Sequence, residues 1–284
     1  TLATTHDFLH LGALPDDTSD LAAWHNAILL NSTLATLEPG DTLFFPNITF
    51  TLMGGVQGWN LTDVTIQLDG TLRFSDSIDD WPTGEFGVIG AGSVLHCWAF
   101  FNLTRVTFTS SGVGTLDGSG AVWWGFPGIG YLIRGKNRPH LFYVHGERDT
   151  DNLLGSKDLL LENWFFLNSP HFTANFKQVD TLEIRNCEVS ARRTEEDHHG
   201  VIDMTAFNTD GFDVSGKNVW IHDCVIWNQD DCISVGDDSE HMLFERIRAS
   251  GIGLVIGSIS HNTVNNITFR DSSMHHTWKG LYLK

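Results

Sequence analysis

Basic residues are scarce in this chain. Its 284 residues hold 17 Lys+Arg against 35 Asp+Glu, a formal charge of −18. Phosphate binding needs a basic footprint, so no nucleic-acid partner is expected. Long apolar runs are also missing, and none approaches the roughly 18–20 residues that cross a bilayer, so no membrane partner is expected either. No charged-then-apolar leader precedes Thr1, and any secretion signal is expected to have been removed. Lysine is sparse, and the periodic Ala, Glu, Lys and Leu of long helices is lacking, which argues against a helical protein.

What is abundant points elsewhere. Hydrophobic residues make up 41%, enough for a core, and Gly (28), Phe (19) and Trp (10) give a β-rich, turn-rich profile. Five glycosylation sequons begin at Asn31, Asn47, Asn60, Asn102 and Asn266. Together they favour a secreted, extracellular glycoprotein, although Asn-x-Thr also suits strand ends. The four cysteines, Cys97, Cys187, Cys224 and Cys232, permit two disulfides in three connectivities. Cys187 and Cys224 read equally well as buried free thiols.

Self-similarity sets the architecture. The segments around Leu161, Ile184, Ile221, Phe244 and Phe269 share apolar residues two apart followed by a polar pair. Those anchors are separated by 23, 37, 23 and 25 residues, and the long step is explained if 191–206 is an inserted loop. Looser copies end at Ile66 and Phe108. A period in the low twenties with two-residue alternation predicts a solenoid of short strands. The regular Leu-x-x-Leu-x-Leu frame of leucine-rich repeats is missing. The fold class expected is therefore all-β, a right-handed parallel β-helix with coils stacked about 4.8 Å apart. Cys187 and Cys224 each lie three residues past an anchor and should be ladder neighbours.

One domain over 1–284 is expected, because no low-complexity linker divides the chain. Its first 40 residues read as a cap. There the polar Asp16–Ser19 precedes a segment from Asp20 to Leu30 with apolar residues at 21, 24, 28 and 29 in helical spacing. The other end stops at Lys284 inside a strand-like run, so further C-terminal coils are expected to be missing.

Stacking makes residues one period apart into lateral neighbours. Asp210, in Asn208-Thr-Asp-Gly211, precedes Asp230 by 20 residues, and Asp231 follows at once in Gln229-Asp-Asp-Cys232. Adjacent coils should then gather three carboxylates on one open face, and their repulsion should raise at least one pKa. A protonated carboxyl beside an ionised one suits glycoside hydrolysis, where one group protonates the leaving oxygen and another activates water. The plainer alternatives are turn-forming aspartates at coil corners and a calcium site.

The motifs Asn208-Thr-Asp-Gly211, Gln229-Asp-Asp-Cys232, Gly251-Ile-Gly-Leu-Val-Ile-Gly-Ser258 and the segment Gly114–Trp124 resemble glycoside hydrolase family 28, the polygalacturonase and rhamnogalacturonase family. The resemblance spans roughly residues 60–284. It implies a right-handed parallel β-helix and inverting, metal-independent hydrolysis of a pectin backbone without cofactor. Asp230 would be the general acid, and Asp210 and Asp231 would hold and activate the water. Inversion implies carboxylates about 6.5–9.5 Å apart rather than about 5 Å.

Two departures refine this expectation. Polygalacturonases carry a His between the first two glycines of the glycine-rich segment, where this chain has Ile252. They also carry Arg-x-Lys where this chain has Tyr282-Leu-Lys284. A phenol in place of a guanidinium forfeits a charge-assisted pair worth roughly 1.5–3 kcal/mol. A neutral sugar at the cleavage point follows, with rhamnose the natural candidate and Lys284 free to meet a galacturonate. The chain thus resembles the rhamnogalacturonan-directed or exo-acting rhamnosidase branch, and is expected to act as a monomer on a pectic polysaccharide. Asn208, Gln229, Ile252, Tyr282 and Lys284 are the substrate-binding candidates. The rivals are a polygalacturonase acting on homogalacturonan, a calcium-dependent lyase and a non-catalytic carbohydrate-binding β-helix.

Other residues carry weaker signals. The pairs His198-His199 and His275-His276 lack zinc-like partners and read as surface or loop residues. Among Trp81, Trp98, Trp123, Trp124, Trp227 and Trp278, only one or two should line a groove. Asp213 reads as a structural support. The loop 191–206, with Arg192 and Arg193, is placed to wall the cleft.

Overall fold

The computed structural model describes residues 3–86, 89–125, 137–146, 155–260 and 262–284. Strands of alternating burial wind into two long parallel sheets, one of fifteen strands and one of eight among the described residues. In strand Thr181–Arg185 of the long run Ala174–Arg185, Leu182 and Ile184 point inward while Glu183 and Arg185 point out. The expected anchors stack in register: Leu161 on Ile184, Ile184 on Ile221, Ile221 on Phe244 and Phe244 on Phe269. The looser copies join the same column, since Ile66 pairs with Phe108 and Phe108 with Leu161. Each rung buries an apolar side chain against the next, and that burial is the main stabilising term.

The corners explain the polar residues that follow each anchor. Asn163, Asn186, Asp223, Arg246 and Asp271 all have φ between +50 and +60°, a region that Asn and Asp tolerate better than most residues. A second column of left-handed bends runs through Asp158, Thr181, Asn218, His241 and Asn266. Asn266 is therefore an Asn for backbone reasons as well as being a sequon residue. Asn60 and Asn102 also sit at positive φ.

On the outer face a chain of ion pairs crosses the coils. Arg185 meets Glu162 at 2.7 Å and Glu183 at 2.8 Å. Farther along, Glu245 receives Arg246 at 2.7 Å and Arg270 at 2.5 Å.

All four cysteines are buried free thiols, which decides the question the spacing left open. Cys187 and Cys224 are ladder neighbours, since Glu188 pairs with Val225 immediately after them. Burial pushes the Cys187 thiol well up, and the adjacent Cys224 adds to the shift.

The capping helix runs Asp20–Leu34, with Ser19 accepting a hydrogen bond from the Ala22 amide. Its orientation corrects the sequence expectation. The apolar stripe at Leu21, Trp24 and Ile28 faces outward, and Ala22, Ala23, Asn26, Ala27 and Leu30 are buried. Small alanines let the helix backbone approach the first coil closely. Asn26 then reaches across it, donating to Leu14 O and Thr51 O and accepting from the Leu14 amide. At the opposite end, Leu281 and Leu283 are exposed although their column partners Leu254 and Ile256 point toward the core.

Candidate active site

The acidic residues are gathered by consecutive coils. Asp210 lies two residues before strand Phe212–His222, and Asp231 opens strand Asp231–Val235 with Asp230 just before it. The turns are locked together: the Thr173 amide donates to Asp210 O at 2.8 Å, and the Gly211 amide to Asp231 O at 2.9 Å. A Cβ at Gly211 would lie 2.4 Å from Cys232 O, so only glycine lets these coils close. Asn228, fully buried, donates to both Thr209 O and Asp231 O and fixes the acidic turn. Sequence reasoning missed it, although an Asn two residues before an Asp-Asp pair fits the role.

One carboxylate oxygen from each of Asp210, Asp230 and Asp231 lies within 4.8 Å of the others. The proximity expected from the repeat is therefore present. Two expectations need correction. The separation falls short of the 6.5–9.5 Å anticipated, because the groups stand on adjacent coils, which stack only about 4.8 Å apart. The face is also less open than expected: Asp210 and Asp231 are buried, and only Asp230 is partly exposed.

Crowding and burial set the protonation states. Burial pushes Asp210 well above the ordinary carboxylate range, and the charges of Asp213, Asp230 and Asp231 push further. Its Oδ1 finds no partner among the described residues. Asp230 is also raised, chiefly by burial and then by Asp231. Its Oδ1 accepts from the Asp231 amide at 2.9 Å, and its Oδ2 from the Asn208 amide at 3.2 Å and side chain at 3.1 Å. Asn208 thus holds the Asp230 carboxyl. Asp231 accepts from the Tyr282 hydroxyl and, at 3.3 Å, from Lys284 Nζ. Burial works against the Lys284 charge, but Asp231 outweighs it and lifts the ammonium above its usual value.

Beside Asp230 opens a cavity of about 270 Å³. Ile252 lines it from the following coil, Trp278 from the coil after that, and Val201, Met204 and Phe207 from the loop between Ala191 and Asn208. Gln229 and His199 complete the wall with Asp230 and Gly251, and among the described residues no Lys or Arg lines it. Gln229 Nε2 donates to His199 Nδ1 at 2.8 Å, which leaves the ring proton on Nε2 to reach Ser250 Oγ at 2.9 Å. The imidazole stacks on Trp227 with centroids 4.6 Å apart, and burial holds it below the usual histidine range. His199 thus lies in the loop, as one of the two readings had it, and is half-buried against the cavity.

The loop does wall the cavity, through Val201 and Met204 instead of its arginines. Arg193 ties it down, donating to Thr205 Oγ1 at 2.7 Å and Ala121 O at 2.8 Å. Arg192 lies over the Trp227 ring. Buried Asp203 accepts from the amides of Arg193 and Thr194 and closes the loop on itself. Of the six tryptophans considered, Trp81, Trp98, Trp123 and Trp124 are buried in the core, and Trp278 lines the cavity.

The three carboxylates are the one group among the described residues with spacing for a metal ion. Hard cations prefer several free oxygens, whereas Asn208, Tyr282 and Lys284 already donate to two of these carboxylates. Of the sequon asparagines, Asn47, Asn60 and Asn266 are exposed. Asn31 is half-buried, its carbonyl accepting from the Gln57 amide.

The family model for glycosyl hydrolases family 28 matches residues 46–284. An endopolygalacturonase A from Aspergillus niger is 33% identical over 184 residues, covering 63% of this chain and 44% of the relative. An Emericella nidulans endopolygalacturonase is 27% identical over 238 residues, covering 79% and 56%. The chain thus spans about half the length of these relatives. Among solved structures, the endo-xylogalacturonan hydrolase from Aspergillus tubingensis superimposes with a TM-score of 0.77 at 21% identity, over 99% of this chain and 68% of the other. An exopolygalacturonase from Thermotoga maritima gives 0.73 at 20% identity, over 98% and 68%.

Proposed function

The chain belongs to glycosyl hydrolase family 28, and from that premise we propose that it hydrolyses a pectic polysaccharide outside the cell, at a rhamnose–galacturonate linkage. The observation that carries the choice of linkage is the cavity beside Asp230. Its wall of Val201, Met204, Phe207, Ile252 and Trp278 offers apolar contact, and among the described residues it carries no cation. A 6-deoxy sugar presents a methyl group that such a wall favours, whereas a uronate there would lose its hydration without gaining a partner.

Asp230 is the group that faces the cavity, and its raised pKa keeps a proton available for the glycosidic oxygen. Three carboxylates this close cannot all ionise, so they share protons as a unit. Two oxygens within 4.8 Å can hold one water between them, each at about 2.7–2.8 Å. Held between Asp210 and Asp231, that water loses a proton to the pair as it attacks the anomeric carbon opposite the leaving oxygen. The product then has inverted configuration. Lys284 and Tyr282 donate to Asp231 and hold its carboxyl in place.

Asp230→Asn should lower reducing-end release from rhamnogalacturonan by about 10²–10⁴-fold, the usual contribution of a general acid. Activity close to wild type would remove Asp230 from that role. Proton NMR of the first product should show the inverted anomer. A second reading, hydrolysis of homogalacturonan, is favoured by the names of the relatives. Faster release from polygalacturonate than from rhamnogalacturonan would establish it.

A further inference from the structure

The loop between Ala191 and Asn208 carries much of the apolar wall beside Asp230, and its limbs are held differently from its tip. Arg193 fixes the first limb on Thr205 Oγ1 and Ala121 O, while Asp203 on the second limb gathers the amides of Arg193 and Thr194. From Glu195 to Met204, the hydrogen bonds that reach the coils among the described residues all belong to His199. Its Nδ1 accepts from Gln229 Nε2 at 2.8 Å, and its Nε2 meets Ser250 Oγ at 2.9 Å.

Those two partners stand on successive coils, since Trp227 pairs with Ser250. Gln229 immediately precedes Asp230, and Ser250 immediately precedes Gly251 and Ile252 of the cavity. The imidazole also stacks on Trp227, with centroids 4.6 Å apart. Burial favours the neutral ring, which the Gln229 donor requires.

Packing does not hold the tip in place. Val201 is 70% exposed and Ile202 57%, so neither buries enough apolar surface to offset the entropy of an ordered backbone. The turn is closed internally, the Met204 amide donating to Gly200 O and the Thr205 amide to Ile202 O. Those bonds give the tip its shape but not its seat on the coils. Val201 follows His199 by two residues, about 7 Å of extended chain at most, so fixing the ring fixes the wall.

We propose that His199 is the positioning residue of this wall, a clip on Gln229 and Ser250 that holds Val201 and Met204 against the sugar accepted beside Asp230. The neutral sugar rests on the functional reading above, whereas the clip rests on the hydrogen bonds alone. Apolar contact of this kind is the same before and during bond cleavage. Its loss removes binding without removing chemistry, so KM should move and kcat should not.

The test uses the full chain with His199→Ala and with His199→Asn, which keeps an acceptor near the place of Nδ1 for Gln229. Hydrogen exchange in peptides covering 199–206 should quicken about tenfold in His199→Ala and less in His199→Asn, with strand peptides unchanged. On rhamnogalacturonan, His199→Ala should raise KM about tenfold, or about 1.4 kcal/mol, at a kcat within about twofold of wild type. His199→Asn should recover part of that loss. Affinity for polygalacturonate, read as KM or as a competitive Ki, should stay put, because a uronate gains nothing from an apolar wall. Unchanged exchange in His199→Ala overturns the clip whatever the substrate. Faster exchange with an unmoved KM for rhamnogalacturonan, or with equal losses for both polymers, overturns the positioning role and leaves the pectic reading intact. A wild type that releases nothing from rhamnogalacturonan overturns that reading instead, and the exchange result then decides the clip by itself.

Discussion

Asp210 shows how a single side chain can work against the fold that holds it. It is buried, one oxygen is unpartnered, and three other carboxylates surround it. Its folded-state pKa is raised, so between the unfolded value near 4 and the folded value the native chain holds a proton that the unfolded chain has released. Stability must fall as pH rises through that window. Asp210→Asn should therefore be more stable than wild type at pH 7, by ~1–3 kcal/mol or a few degrees in Tm. The gain should shrink toward pH 4, and thermal melts at both values check it. A variant less stable than wild type at pH 7 contradicts this account. Asn208, Asn228 and Gly211 show the complementary case, small residues whose hydrogen bonds and lack of bulk hold the acidic turns together.

At the scale of elements, the strands were the most legible part of the chain. Leu161, Ile184, Ile221, Phe244 and Phe269 could be aligned by eye because a parallel stack demands the same apolar residue type at the same height in every coil. Asp210, Asp230 and Asp231 followed from the same spacing. The helix was legible in position but not in orientation, because helical periodicity does not reveal which of two apolar faces is small enough to approach a sheet end. His199, Met204 and Phe207 were illegible for another reason. They lie in a segment that obeys no period, so nothing in the repeat says where they turn. The helix offers its own test. Asn26→Ala would leave Leu14 N, Leu14 O and Thr51 O without their partner. It should lower unfolding free energy by about 2–4 kcal/mol, read from the urea midpoint at unchanged slope.

Across the whole molecule, cohesion comes from stacked apolar columns and outer ion pairs, with no covalent cross-link among the four cysteines. Reductant should therefore leave Tm unchanged. A thiol reagent should label fewer than one cysteine per native chain and all four in guanidinium. Loss of stability on reduction, or fewer than four thiols in the denatured chain, would show that a bridge forms.

The segment between Ala191 and Asn208 contributes no strand to either long sheet, yet it supplies half the wall beside Asp230. Asp203 and Arg193 fasten it from within, and Ala121, Gln229 and Ser250 tie it to the coils. Half of the cavity wall and the rungs of the scaffold are thus written in different stretches of chain. A lineage could exchange Val201 and Met204 for polar or cationic residues and recognise a different glycan without disturbing one rung of the solenoid.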